Sequence, residues 1–504
     1  MMNRSRSLCA LILLCMTLPA AAAELPAGGM YPAAGATSIS PDTPLRITFA
    51  SPPVLGTTGK IQIFNALDNT VVDTIDLAAE PSNPLPPNAP ANAAVTRMSR
   101  EKGAPPRKRS VGGLGNYNYY PVIVSGNQVE IYPAPGVMAY GKSYYVTIDA
   151  GVFMSGEVAY PPLSGPQAWR FITKSTAPAA GSTNLVVSKD GSGDFATLQA
   201  ALDFIPDGNT TPTTIHLRPG TYTELIYVAN KHAITILGDD RKKSIIEYAT
   251  NDSFNNSAGG GGYRRGVLRQ VRCNDFTLAN LTIRNTTPQG GTQAEAIIFN
   301  GNRDGRAIVT GVDLFSYQDT LQINGQAYIS DCYIEGDVDF MWGNGPCFFE
   351  NCTARTVRNN AYYSQIRNSQ ANHGYVYYRC TFDGAPGITG NVLSRIAPAT
   401  FPFSEVVLID CVLGPSVSPA AWRLDGGGAR RGGPATLPTD NIHFWEFNSH
   451  DAAGKPVDAS QRLSVSRQLK QPDDAELIRN YSDPVWVLGS GWNPREAEIV
   501  KRSR

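Results

Sequence analysis

Asp319 and Asp339 are the two residues of this chain whose type and spacing point most directly to chemistry. Asp319 lies eight residues past Gly311, and Asp339 lies eight residues past Asp331. Gly311 and Asp331 open two consecutive copies of an internal repeat, so the aspartates occupy equivalent positions in neighbouring copies. If the copies stack as strands of one sheet, the carboxylates stand roughly 5–7 Å apart. Like charges one above the other destabilise a sheet, so such a pair calls for a function or a bound cation. Calcium is the structural alternative, but Tyr317, Gln318, Phe340 and Trp342 do not supply the oxygens it takes. Two close carboxyls, one ionised and one protonated, can run nucleophilic and acid–base catalysis without a histidine.

No competing constellation stands out. There is no G-x-S-x-G elbow, and the Gly259–Gly262 run lacks the Lys-Ser/Thr of a phosphate loop and reads as a flexible turn. The five histidines show no metal-ligand spacing and no CxxC occurs, so a zinc site is not expected. With 43 basic and 43 acidic side chains the chain has no bulk attraction for nucleic acid or an anionic membrane.

The elements that position the aspartates form a repeat. The segments "LANLTIRN", "VTGVDLFS", "ISDCYIEG", "FENCTART", "YYRCTFDG" and "LIDCVLGP" align on Asn280, Gly311, Asp331, Asn351, Arg379 and Asp410. Their spacing of two to three dozen residues is that of a solenoid whose coils stack strands in parallel. Cys332, Cys352, Cys380 and Cys411 follow the aligned residue in four coils and form one column. A disulfide between Cys332 and Cys352 is the preferred pair, a stack of buried thiols the alternative.

Four further segments precede or open the solenoid. Arg4 and Arg6, an apolar run from Leu8 to Leu18 and Ala21-Ala22-Ala23 make residues 1–23 a secretory signal peptide cut near Ala23. That run is too short to span a bilayer, so the mature chain is expected to be soluble, secreted or periplasmic, and monomeric. Residues 24–176 read as a small β domain with strand-like runs at Leu45, Lys60, Val129, Tyr144 and Trp169. Its Pro-, Ala- and Asn-rich stretch near 81–118, with "PPRKRS", reads as a disordered, solvated insert. Residues 177–181 are a linker. "FATLQAALDF" (195–204) has helical spacing and is expected to cap the start of the second domain, 183–504.

Two resemblances add to this reading. "LRITFA", "YYVTI" and "WRFIT" resemble a bacterial immunoglobulin-like β-sandwich. From about Val186 to Pro494 the chain resembles the pectin methylesterases, through an ordered set of motifs. These are "DGSGDFATLQAALDFIP" (190–206), "RPGTYTE" (218–224), "ITILGDDRKKSIIEY" (234–248), "TQAEAIIF" (292–299), "FSYQDTLQ" (315–322) and "CYIEGDVDFMWGN" (332–344). The resemblance implies an all-β chain whose catalytic domain is a right-handed parallel β-helix, hydrolysing methyl esters of pectin. It implies Asp339 as nucleophile, Asp319 as general acid then base, Gln318 and Gln293 as oxyanion donors, and Arg395 as partner of the nucleophile. It implies no metal or organic cofactor. Trp342 and Tyr317 are the candidate substrate-binding aromatics. "VLSRIAP" (392–398) departs from the family's Leu-Gly-Arg-Pro-Trp, with Ala397 where that tryptophan stands. This leaves open another ester or thioester substrate. A glycan-binding protein without turnover is the reading from outside the enzymes.

Overall fold

The computed structural model describes residues 29–84, 98, 101–255, 264–301, 305–426 and 437–497. The signal-peptide reading and the Gly259–Gly262 turn lie outside these residues.

From Asn184 onward the alternating apolar residues of short strands turn inward and stack. One coil runs Gln326–Ser330, Tyr333–Gly336 and Val338–Gly343, and the next runs Cys347–Glu350, Thr353–Thr356 and Tyr362–Ile366. Each strand pairs in parallel with its counterpart one coil on. The result is a parallel β-helix with three faces, of eleven, eight and eight strands among the described residues. Its interior is a continuous column of buried Leu, Ile, Val and Phe. Full burial of each such side chain stabilises the stack by about 1.5–3 kcal/mol.

The corner between the first and second faces explains the repeat. Asn280, Gly311, Asp331, Asn351, Arg379 and Asp410 all have φ between +53° and +61°. Only Gly, and to a lesser degree Asn and Asp, take that left-handed conformation readily. The first face is apolar on both sides, because the C-terminal helices α2 (Ala475–Tyr481) and α3 (Pro484–Leu488) cover its outer surface. Ile478, Tyr481 and Val487 there meet Tyr328, Phe348 and Val407. Helix α1 (Leu198–Phe204) starts at Thr197, whose side chain accepts from the Ala200 amide, and buries Leu198, Ala201 and Leu202 against the first coil. It begins three residues later than the apolar spacing suggested.

The N-terminal region holds two four-stranded antiparallel sheets around a core of its own. The insert expected to be disordered near 81–118 is folded where it is described; residues 85–97 and 99–100 lie outside the described residues. Arg107–Val111 and Leu114–Tyr119 pair as a hairpin. Tyr117, Tyr119 and Tyr120 are buried and join the core of the β-helix. Those tyrosines, not the preceding basic run, decide the behaviour of the segment: three buried aromatics outweigh the ordering entropy of a short hairpin. Asn83 donates to the Phe254 carbonyl at 2.7 Å, and Asn118 and Asn255 exchange hydrogen bonds, which docks this region on loop 250–255.

Cys332 and Cys352 are not bridged; all six described cysteines are free and buried. Side chains of one column point inward in parallel at the rung spacing of about 4.8 Å, longer than the Cβ separation a disulfide needs. Each thiol instead donates to carbonyls of its own coil and the coil before, Cys332 to Ser330 at 3.1 Å and Cys352 to Ile329 at 3.4 Å.

Candidate active site

The third face carries the site. Its strands Ile297–Asn300, Leu321–Asn324, Val338–Gly343, Tyr362–Ile366 and Val392–Ile396 lie side by side. Leu321 pairs with Met341 and Gln318 bridges Val338. The Asp319 amide donates to the Val338 carbonyl at 3.0 Å. Asp319 and Asp339 therefore sit on adjacent rungs, as the repeat spacing predicts. Both also have positive φ, +67° and +48°, the left-handed region that Asp, after Gly and with Asn, enters more readily than other residues.

Arg395 reaches Asp339 from two rungs further on. Its Nε donates to Oδ1 at 2.8 Å and its Nη2 to Oδ2, a two-point ion pair. Burial leaves Asp339 raised above the usual carboxylate range, although the Arg395 hydrogen bonds and charge oppose that rise. The same pair holds Arg395 more firmly charged. Asp319 has no such two-point partner. Burial and the charge of Glu295 push it well above the usual range, with Arg265 opposing and Asp339 adding to the rise. The two-point clamp thus favours the ionised form at Asp339, and the surroundings of Asp319 favour its protonated form.

Gln318 and Tyr317 line a cleft of about 670 Å³ on one side of the pair, with Thr292, Asp337 and Arg358. Gln293 is half-buried next to Thr292, and its carbonyl accepts from the Asp252 amide at 3.0 Å. Trp342 does not offer an open face. It is 5 % exposed, with the Arg367 guanidinium 4.6 Å from its ring centre, so it supports the site from within. The next residue, Gly343, must be glycine, since a Cβ there would meet the Ile323 carbonyl oxygen at 1.9 Å. Ala397 accepts from the Thr400 and Phe401 amides, a turn that brings Phe401 to Arg367, 5.3 Å from ring centre to guanidinium.

Four charged residues of the site escaped the sequence reading. Arg367 acts on both aspartates. Asp337 is buried in the cleft, where burial raises its carboxyl against a hydrogen bond from Gln289. Arg265 and Glu295 form a buried ion pair beside Asp319. The available signal was Glu295 itself, a charge between Ala294 and Ala296 at the head of an apolar strand. Among the described residues no group of three or more His, Cys, Asp or Glu is arranged to hold a metal ion.

A solenoid whose third face presents stacked aspartates and a guanidinium clamp defines a class, and comparison with known proteins gives the same class. The pectinesterase family model matches residues 184–465, more than half of the chain, and the chain belongs to that family of carboxylic ester hydrolases. Among individual relatives, pectinesterase 31 of Arabidopsis thaliana is 30% identical over 311 residues, covering 59% of this chain and 92% of that protein. The pectin methylesterase from carrot superposes with a TM-score of 0.52 at 21% identity, over 63% of this chain and 96% of that one. A pectin methylesterase mutant solved in complex with a hexasaccharide gives 0.51 at 24% identity, over 63% and 99%. These likenesses at low identity concern the fold.

Proposed function

We propose that the chain removes methyl esters from galacturonate units of pectin through a covalent intermediate on Asp339. The observation that carries this reading is the asymmetric pair: two aspartates on adjacent rungs, one clamped at two points by Arg395 and the other without such a clamp.

An Asp339 oxygen attacks the ester carbonyl carbon, and the carbonyl electron pair moves to oxygen. Gln318 and Gln293 supply side-chain N–H donors to that oxyanion. Collapse breaks the bond to the methoxy oxygen, which takes the proton from Asp319 and leaves as methanol. The galacturonyl group is then held on Asp339 as a mixed anhydride. Asp319, now ionised, takes a proton from water while the water oxygen attacks the galacturonyl carbon. Asp339 departs as carboxylate, the product is the free acid, and Asp319 is protonated again. Arg395 stabilises Asp339 before attack and on departure. Tyr317, which lines the cleft, is the aromatic we assign to the sugar ring. We assign the N-terminal sheets to an immunoglobulin-like domain and the chain to export, the former from its antiparallel two-sheet core, the latter from the layout of residues 1–23.

The test is methanol release from highly methylated pectin in excess chelator, with wild type beside Asp339→Ala. Wild type is expected to release methanol and the variant to lose roughly a thousandfold or more in kcat/KM while staying folded. A folded wild type that releases none would overturn the substrate assignment.

A further inference from the structure

One buried carboxyl next to the site has no part in the reaction just described. Ile297 pairs with Leu321, and Leu321 with Met341. Two residues back along each strand, the same register puts Glu295, Asp319 and Asp339 on three successive rungs. A guanidinium closes each end of this column, Arg395 at Asp339 and Arg265 at Glu295.

Arg265 is shared unequally. Its Nε donates to the two Glu295 oxygens at 3.0 and 2.9 Å, and its Nη2 reaches Glu295 Oε1 at 2.9 Å. Its contact with Asp319 is longer, Nη2 to Oδ2 at 3.4 Å, and Nη1 meets Asp252 Oδ1 at 3.3 Å. Glu295 is fully buried and Arg265 nearly so, so water screens these charges little. One cation between two dry carboxyls favours one ionised and one protonated partner.

We propose that Glu295 is a positioning residue for the general acid: it takes Arg265 as its own ion-pair partner and leaves Asp319 as the carboxyl that carries the proton. The inference rests on the reading of Asp319 as general acid. The groups facing Asp319 are Glu295, Arg265, Asp339 and Arg367. Those facing Glu295 are Arg265, Asp252 and Asp319, and those facing Asp339 are Arg395, Arg367 and Asp425. After burial, Glu295 is the strongest influence raising Asp319. The reverse assignment, with Glu295 protonated and Arg265 given to Asp319, would place the two-point contact on Asp319, where the structure has the single long one.

The test is the pH dependence of kcat/KM for methanol release by the full chain as wild type, Glu295→Gln and Glu295→Asp. In Glu295→Gln, Arg265 loses its closest counter-charge and is left to Asp319 and Asp252, which favours the ionised acid. The alkaline limb is expected to move down by about one pH unit or more. Glu295→Asp keeps the charge and is expected to keep the limb near that of wild type. A merely structural glutamate would lower kcat/KM at every pH, and near-isosteric glutamine would then be the milder change. An unmoved limb in folded Glu295→Gln overturns the role. Should that variant fail to fold, the double variant Arg265→Met/Glu295→Leu removes both charges. Because Glu295 raises Asp319 more than Arg265 lowers it, its limb is expected at or below that of wild type, and a limb above it, which would show Arg265 acting mainly on Asp319, overturns the role as well. Absence of methanol release by wild type would instead bring down the esterase reading, and this one with it.

Discussion

Glu405 and Asp319 are buried to a similar depth, 4 % and 7 % exposed, yet their surroundings push them in opposite directions. Glu405 is a carboxyl with donors on every side. His373 and His443 meet it at 2.8 Å each, the Tyr481 hydroxyl donates at 2.8 Å, and the Gly374 amide at 3.2 Å. Burial alone would raise it, but hydrogen bonds from His373 and His443 bring it down to about 2. Asp319 has carboxylates on the rungs to either side and one distant share of a guanidinium, and it is pushed well above the usual range. The first arrangement ties helix α2 to the first face. The second holds a proton where a leaving group needs one, at the expense of like charges and positive φ along one edge of the third face. Both clusters are built on rungs of one β-helix, so the difference lies in what each rung is given to face.

Each half of this comparison can be broken separately. Glu405→Gln is expected to lose about 3 kcal/mol of stability at neutral pH, the cost of breaking a buried, hydrogen-bonded charge cluster. Because the native Glu405 carboxyl is depressed, its contribution is present above the ordinary carboxylate range and fades as pH falls toward about 2. The gap in thermal midpoint between wild type and variant should therefore close on acidification, while methanol release below the melting range stays unchanged. A gap that did not depend on pH would mean that Glu405 acts by packing.

Asp319→Asn is expected to do the opposite, on a smaller scale. A native carboxyl held above its unfolded value costs stability as pH rises from the ordinary carboxylate range through that native value. Removing it is expected to stabilise the chain by on the order of 1 kcal/mol or more at neutral pH, while abolishing turnover. Calorimetry at several pH values reads this directly. A variant less stable than wild type at neutral pH would place Asp319 with the structural charges.

Much of this architecture was legible because backbone geometry restricts residue type. The aligned Asn280, Gly311, Asp331, Asn351 and Asp410 are the residues a left-handed corner selects. The fixed offset of eight from corner to aspartate then carries Asp319 and Asp339 to adjacent rungs. Arg379 occupies the same corner without belonging to the favoured types, and only its neighbours in the alignment reveal it. The Arg265–Glu295 pair was hidden for a different reason: Arg265 follows a glycine-rich stretch with no strand period, so nothing in the sequence registers it against Glu295. The hairpin at Arg107–Tyr119 was concealed by its basic first strand. The cysteine column was found in the right place, but a shared column says only that the side chains are neighbours, not that they point at one another.

The most direct measurement is the pH–rate profile of kcat/KM for methanol release from methylated pectin. An ionised Asp339 beside a protonated Asp319 predicts a bell, rising as Asp339 loses its proton and falling only well above the ordinary carboxylate range, where Asp319 loses its own. A profile that rises once and stays level into the alkaline range would mean that no proton held on Asp319 is used, and would contradict the division of labour between the two aspartates.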